Sequence, residues 1–151
     1  MKTTVYIFIG AIIAGVCPPV LAQEDFQALI ESQRYSFQAQ SLTAQRGGTR
    51  QLTSGYFIKV SKDTVMADLP YVGRSYSPSM NPTDSGIKFT STDFEYTVTP
   101  KKKGGWKILI QPRDVRSSPR ISISASAKGY ASVQVSSNDK AGISYYGTIA
   151  K

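Results

Sequence analysis

Asp93 and Glu95 are the two acidic residues of this 151-residue chain whose spacing suits catalysis. Residues two apart on a strand point to the same face and lie about 7 Å apart, a separation that the paired carboxylates of glycoside hydrolases use. A carboxylate-based hydrolase is therefore one interpretation. The two acids also alternate with Phe94 and Tyr96, and this alternation is more typical of the solvated face of an antiparallel sheet.

The composition argues against most other catalytic and metal-binding chemistry. The chain has no histidine, and its one cysteine, Cys17, lies near the N-terminus. The rest of the chain therefore lacks the residues for Ser-His or Cys-His nucleophilic catalysis and for a zinc site. The acidic residues do not follow the spacing of a calcium-binding loop. We expect a protein that is not an enzyme, with no catalytic residues, no metal and no cofactor.

Tyrosine and arginine side chains favour binding over catalysis. Tyr71, Arg74 and Tyr76 fall in an irregular stretch that is rich in proline, glycine and serine, and Tyr145 and Tyr146 are adjacent near the C-terminus. A tyrosine offers a ring for stacking and a hydroxyl for hydrogen bonding, and an arginine offers a planar fork of donors. We expect these five residues to contribute to a site for an anionic or carbohydrate-like ligand. The alternative is that the tyrosines are ordinary strand and core residues.

The first 22 residues have the three parts of an export signal. Lys2 supplies positive charge, the run from Val5 to Val16 is apolar but too short to span a bilayer, and small residues precede a cleavage position at Ala22. We expect cleavage after Ala22 and a single domain over residues 23–151, periplasmic or secreted. The alternative is a lipoprotein anchored through Cys17.

The predicted mature chain is basic. Without Lys2 it keeps 17 basic and 10 acidic residues, a net charge of +7. This charge favours anionic surfaces, which for an exported protein are envelope polymers and acidic glycans. The chain has no basic helix and no RNA-binding motif, so we expect no nucleic-acid partner. We also expect no transmembrane helix in the mature chain.

Most of the elements that position these residues are predicted to be strands. Residues 24–33 are predicted to form a short helix, because Phe26, Leu29 and Ile30 fall on one face. From Tyr35 onward the pattern alternates and predicts about eight strands, most of them joined by hairpins. We expect an all-β fold, an antiparallel lipocalin-like barrel or half-barrel with one short N-terminal helix. The alternative is a two-sheet β-sandwich.

A lysine-rich turn is predicted at residues 101–105, with the sequence KKKGG. It lies between two alternating strands, and Trp106 opens the second strand on its apolar face. We expect a charged hairpin tip, because lysines at such a tip stay in water and discourage pairing with another sheet edge. The alternative is that these lysines contact phosphate.

Five separated segments resemble, in the same order, one exported bacterial family. They are Gly55–Val60, Leu69–Tyr76, Gly86–Ser91, Gly129–Val133 and Ile143–Gly147. The family is DUF4251, a domain of unknown function found chiefly in Bacteroides-type bacteria. The resemblance covers nearly all of the predicted mature chain. It implies a small envelope or periplasmic protein, and it implies no reaction and no catalytic residues.

Taken together, the residues and the resemblance predict an exported, non-catalytic binding or envelope-associated domain. Two alternatives stay open at this point. One is the hydrolase that uses Asp93 and Glu95, and the other is a purely structural component of the envelope.

Overall fold

A computed structural model describes residues 21–72 and 86–151, with side chains from residue 26 onward. Within these residues, one helix is followed by ten strands: α1 (Leu21–Ser32), β1 (Tyr35–Ala44), β2 (Thr49–Gln51), β3 (Phe57–Val60), β4 (Val65–Leu69), β5 (Ile87–Ser91), β6 (Phe94–Pro100), β7 (Trp106–Pro112), β8 (Arg120–Ala125), β9 (Tyr130–Ser136) and β10 (Ile143–Ala150). The helix begins three residues earlier than predicted. The two strands beyond the predicted eight are β2 and β5.

The ten strands form one antiparallel sheet, which confirms the predicted all-β class and its barrel form. The order is β5-β4-β3-β1-β10-β9-β8-β7-β6, and β2 pairs with β1 beside β3. Only residues 92 and 93 join the two edge strands, β5 and β6. The sheet must therefore curl until its edges meet at this corner, which gives a nearly closed barrel rather than a sandwich of two sheets.

Alternate residues of the strands build the core inside the barrel. On β7 and β8, for example, Ile108, Ile110, Ile121 and Ile123 are all fully buried. Trp106 is also buried, whereas the three lysines of the hairpin tip are exposed. The predicted apolar faces and the predicted hairpin tip are therefore confirmed.

A chain of hydrogen bonds ties α1 to the barrel. Ile30 is fully buried, and the Tyr96 hydroxyl donates to its carbonyl at 2.9 Å. The Tyr35 hydroxyl lies 3.1 Å from that of Tyr96 and, since the Tyr96 proton is engaged, it acts as the donor. Burial raises the pKa of Tyr96 to about 12 and raises that of Tyr35 further. Both hydroxyls are therefore structural.

Asp114 fixes the corner between β5 and β6. Its carboxylate accepts hydrogen bonds from the Ser91 hydroxyl and, at 2.9 Å, from the Thr92 amide. These bonds lower the pKa of Asp114 below its usual range, because they favour the charged form. Ser91 is fully buried. The carboxylate thus satisfies a buried hydroxyl at the point where the barrel closes.

Candidate functional site

Two of the predicted binding residues, Tyr71 and Tyr145, have hydroxyls that are used inside the fold. The Tyr145 hydroxyl donates to the Pro70 carbonyl at 2.6 Å, and the Tyr71 hydroxyl donates to the Ala141 carbonyl at 3.0 Å. Tyr145 is fully buried. Burial, with a smaller contribution from Tyr71, raises the pKa of Tyr145 well above its usual value. These contacts hold one end of the barrel together.

The residues on either side of the stretch from 73 to 85 lie at the same end of the barrel. The Lys140 ammonium lies 5.5 Å from the centroid of the Tyr71 ring and donates to the Gly86 carbonyl at 2.7 Å. Residues 140 and 141 therefore contact both sides of this stretch. Arg74 and Tyr76, the other two predicted residues of the rim, lie outside the described residues.

Tyr146 faces the opposite side of the sheet from Tyr145. Successive residues of a strand point to opposite faces, so the burial of Tyr145 leaves Tyr146 outside, where it is 48% exposed. The structure thus separates Tyr146 from Tyr71 and Tyr145.

Tyr146 lines an open groove on the outer face of the sheet, which we call the outer groove. Its other lining groups include Gln40, Lys101, Ser124, Tyr130 and Ser132. Tyr146 is opposite Ser132 in the β9–β10 register, so Tyr130, two residues earlier on β9, is its diagonal neighbour on the same face. The volume of about 420 Å³ is within the range of small-molecule sites.

Gly147 shapes one side of the outer groove. A Cβ atom at this position would lie 1.8 Å from the Gln38 carbonyl oxygen, so only glycine allows β10 to approach β1 this closely. The β1–β10 register shifts between Ala39 and Ser41, which leaves Gln40 as the bulged residue. Gln40 thereby lies at the groove beside Tyr146.

A second glycine brings Lys101 to the groove. Gly105 has a φ of 85°, and a Cβ atom there would lie 2.2 Å from the Ala125 carbonyl oxygen. The hairpin tip therefore packs directly against the end of β8. From this position the Lys101 ammonium donates to the Ser124 hydroxyl.

The groups of the outer groove suit the binding of a polar ring. Within the described part of the chain, neither the Tyr130 nor the Tyr146 hydroxyl has a hydrogen-bond partner, and Tyr130 is 65% exposed. The two rings offer stacking surfaces, while the serine hydroxyls and the Gln40 amide offer donors and acceptors. Lys101 adds one positive charge, and none of the lining residues is acidic.

A second, smaller groove of about 320 Å³ lies on the outer face of β3, β4 and β5. Phe57, Met66 and Phe89 line it, together with Asp68 and Lys88, whose charged groups are 3.7 Å apart. Its charges are therefore already paired with each other. This groove offers less to a charged or polar ligand than the outer groove does.

The predicted carboxylate pair lies on the protein surface. Asp93 and Glu95 are both exposed, and Glu95 forms an ion pair with Arg113. The Arg113 amide also donates to the Asp93 carbonyl at 2.8 Å. Neither acid lines either of the two grooves.

Two further observations bear on metals and membranes. In residues 21–72 and 86–151, no three histidine, cysteine or acidic residues lie close enough together to hold a metal ion. The helix found in the described part of the chain is too short to cross a membrane.

Tyr130, Ser124 and Ser132 were not predicted as site residues, and Lys101 was predicted to lie in water at a hairpin tip. Strand parity was the available signal for the first three. Ile123, Ala131 and Val133 alternate inward, so their neighbours Ser124, Tyr130 and Ser132 must face outward together.

Comparisons with known proteins agree with the predicted family. The model of the family described as Domain of unknown function (DUF4251) matches residues 21–149. A crystal structure of a DUF4251 family protein from Bacteroides eggerthii is similar to this chain, with 14% sequence identity and a TM-score of 0.62, and the match covers 85% of this chain and 86% of the other. At this identity the likeness shows the fold alone. None of the curated proteins matches the chain in sequence. Since the family model spans nearly the whole described region, the chain belongs to the DUF4251 family, a domain of unknown function.

Proposed function

We propose that this protein is an exported, non-catalytic binding domain that holds a carbohydrate-like ligand in the outer groove. One observation carries the proposal. Tyr130 and Tyr146 are exposed on one face of the sheet, and neither hydroxyl has a partner among the described residues.

A saccharide matches the chemistry of this groove. A sugar ring has an apolar C–H face and a rim of hydroxyl groups. The tyrosine rings can stack on the apolar face, while Ser124, Ser132 and Gln40 can exchange hydrogen bonds with the rim.

The position of the groove on paired strands also supports binding. Ser124 lies on β8, Ser132 and Tyr130 on β9 and Tyr146 on β10, and the ladder between these strands is continuous. Because the paired strands already fix the backbone, ligand binding has to order only the side chains.

The predicted export signal indicates where this binding takes place. We propose a periplasmic or secreted protein whose ligand is a glycan of the cell envelope or its surroundings. The net positive charge of the chain favours encounters with such polymers when they are anionic.

Isothermal titration calorimetry with saccharide hexamers tests the proposal. The probes are hexamers of xylose, mannose and galacturonic acid, and the proteins are the wild type, Tyr130→Ala and Tyr146→Ala. We expect at least one hexamer to bind the wild type. Because each variant removes one stacking surface, we expect each to weaken that binding about tenfold, or ~1.4 kcal/mol, without a large change in melting temperature.

Met66→Ala is the matched control, because Met66 is an exposed side chain on the other groove, 41% accessible. It should bind as the wild type does. The proposal is overturned if no hexamer binds, or if both tyrosine variants bind the hexamer as tightly as the wild type does.

A further inference from the structure

We propose that the ligand of the outer groove is an acidic saccharide, and that Lys101 and Lys107 bind its anionic group beside Ser124. This inference rests on the proposed function and names the class of ligand. It follows from the placement of the lysines and from the absence of acidic residues on five strands.

The Lys101 ammonium lies at the groove. Its partner is the neutral Ser124 hydroxyl. Within the described residues, the two ion pairs of the protein are Lys88 with Asp68 and Arg113 with Glu95, so Lys101 has no carboxylate partner. An ammonium group has three donor hydrogens, and two of them remain for a ligand.

Lys107 is a second lysine beside Ser124, on a strand just outside the lining of the groove. It is directly opposite Ser124 in the β7–β8 register, and it is exposed on the outer face. Directly opposite residues have Cβ atoms about 4.5–5.5 Å apart. The long side chains of Lys101 and Lys107 can both reach an anion bound beside Ser124, and each ammonium would attract it.

The surrounding sheet adds no negative charge. The strands β1, β7, β8, β9 and β10, which form this side of the barrel, contain no aspartate and no glutamate. No acidic residue of these strands offsets the charge of Lys101 at the Ser124 end of the groove, and the two tyrosines lie on the adjoining strands. A saccharide that has a carboxylate on its ring suits both the lysines, which attract the carboxylate, and the two tyrosines, which can stack on the ring.

The test compares a charged ligand with its neutral counterpart, the hexamer of galacturonic acid with its fully methyl-esterified form. Calorimetry is performed with the wild type, Lys101→Met, Lys107→Met and Lys62→Met. Lys62 is an exposed lysine in the β3–β4 turn, so its variant loses the same unit of net charge away from the groove.

We expect the wild type to bind the acid at least tenfold more tightly than the ester, with an affinity for the acid that falls as salt is added. Lys101→Met and Lys107→Met should each weaken binding of the acid more than binding of the ester, which reduces this preference to about threefold, and should melt like the wild type. Lys62→Met should keep the tenfold preference.

The possible failures are distinguishable. Equal affinity of the wild type for the acid and the ester overturns the acidic ligand and leaves saccharide binding in place. An acid preference that survives in both Lys101→Met and Lys107→Met overturns the assigned position of the anion. Binding of neither hexamer, together with no binding of xylose or mannose hexamers, overturns the proposed function itself.

Discussion

Tyr145 and Tyr146 are neighbours in the chain, but the fold uses them in different ways. Tyr145 points into the barrel, where its hydroxyl donates to the Pro70 carbonyl and its ring is fully buried. Tyr146 points outward into the outer groove. Its side chain is half exposed, and its hydroxyl has no hydrogen-bond partner in the described part of the chain. Residue type alone therefore does not identify a binding residue. A tyrosine is available to a ligand only when the fold leaves its ring and its hydroxyl unused.

The same contrast applies to four other tyrosines in the described part of the chain. Tyr35, Tyr71 and Tyr96 each form a hydrogen bond within the protein, as Tyr145 does. Tyr130 lies outside in the outer groove with Tyr146. The inner tyrosines should therefore affect stability, and the outer tyrosines should affect binding.

Removal of one hydroxyl from each neighbour is the largest expected difference in stability. Tyr145→Phe leaves the Pro70 carbonyl without its donor, and we expect a loss of about 1–2 kcal/mol in the free energy of unfolding. Tyr146→Phe removes a solvated hydroxyl, and we expect a change of less than about 0.5 kcal/mol. Urea unfolding of the two variants and the wild type measures both values.

The two phenylalanine variants control for each other, since both keep the ring. Equal losses of stability in the two variants would contradict the different roles of Tyr145 and Tyr146, because they would mean that the Tyr146 hydroxyl also has a structural partner.

A smaller effect is expected in alkaline solution. The pKa of Tyr96 is about 12 in the folded protein, against about 10 in an unfolded chain. Above pH 10 the unfolded chain loses this proton while the folded protein keeps it. The contribution of Tyr96 to the free energy of unfolding is therefore fully present below pH 10 and is lost between pH 10 and pH 12. Thermal melts across this window should show a decline that is shallower in Tyr96→Phe.

Tyr146→Phe is the reference for this alkaline series, because its hydroxyl is outside the barrel. An alkaline decline as steep in Tyr96→Phe as in Tyr146→Phe would mean that burial does not raise the pKa of Tyr96.

Strand alternation made most of the fold predictable from the sequence. The apolar residues of β7 to β10 recur with a period of two, and each has the burial that this period implies. Two strands were missed. All three residues of β2 are exposed, so β2 has no apolar face to recognise. β5 does alternate, with Ile87 and Phe89 on one face, but it has only five residues.

The candidate site was less predictable, because it depends on contacts between distant residues. The same period of two separates Tyr145 from Tyr146, although the sequence analysis grouped them. The contact of Lys101 with Ser124 joins residues 23 positions apart, and it depends on the close packing of Gly105 on β8. The bulge at Gln40 depends on the approach of β10 through Gly147. No local pattern encodes these contacts.

The division between inner and outer tyrosines is tested most directly by NMR with ¹⁵N-labelled protein and the galacturonic acid hexamer. The amide signals of Tyr130, Ser132 and Tyr146 should shift as the ligand is added, while those of Tyr71 and Val72 at the barrel end should stay in place. Shifts concentrated at Tyr71 and Val72, with the signals of Tyr130 and Tyr146 unchanged, would contradict the account.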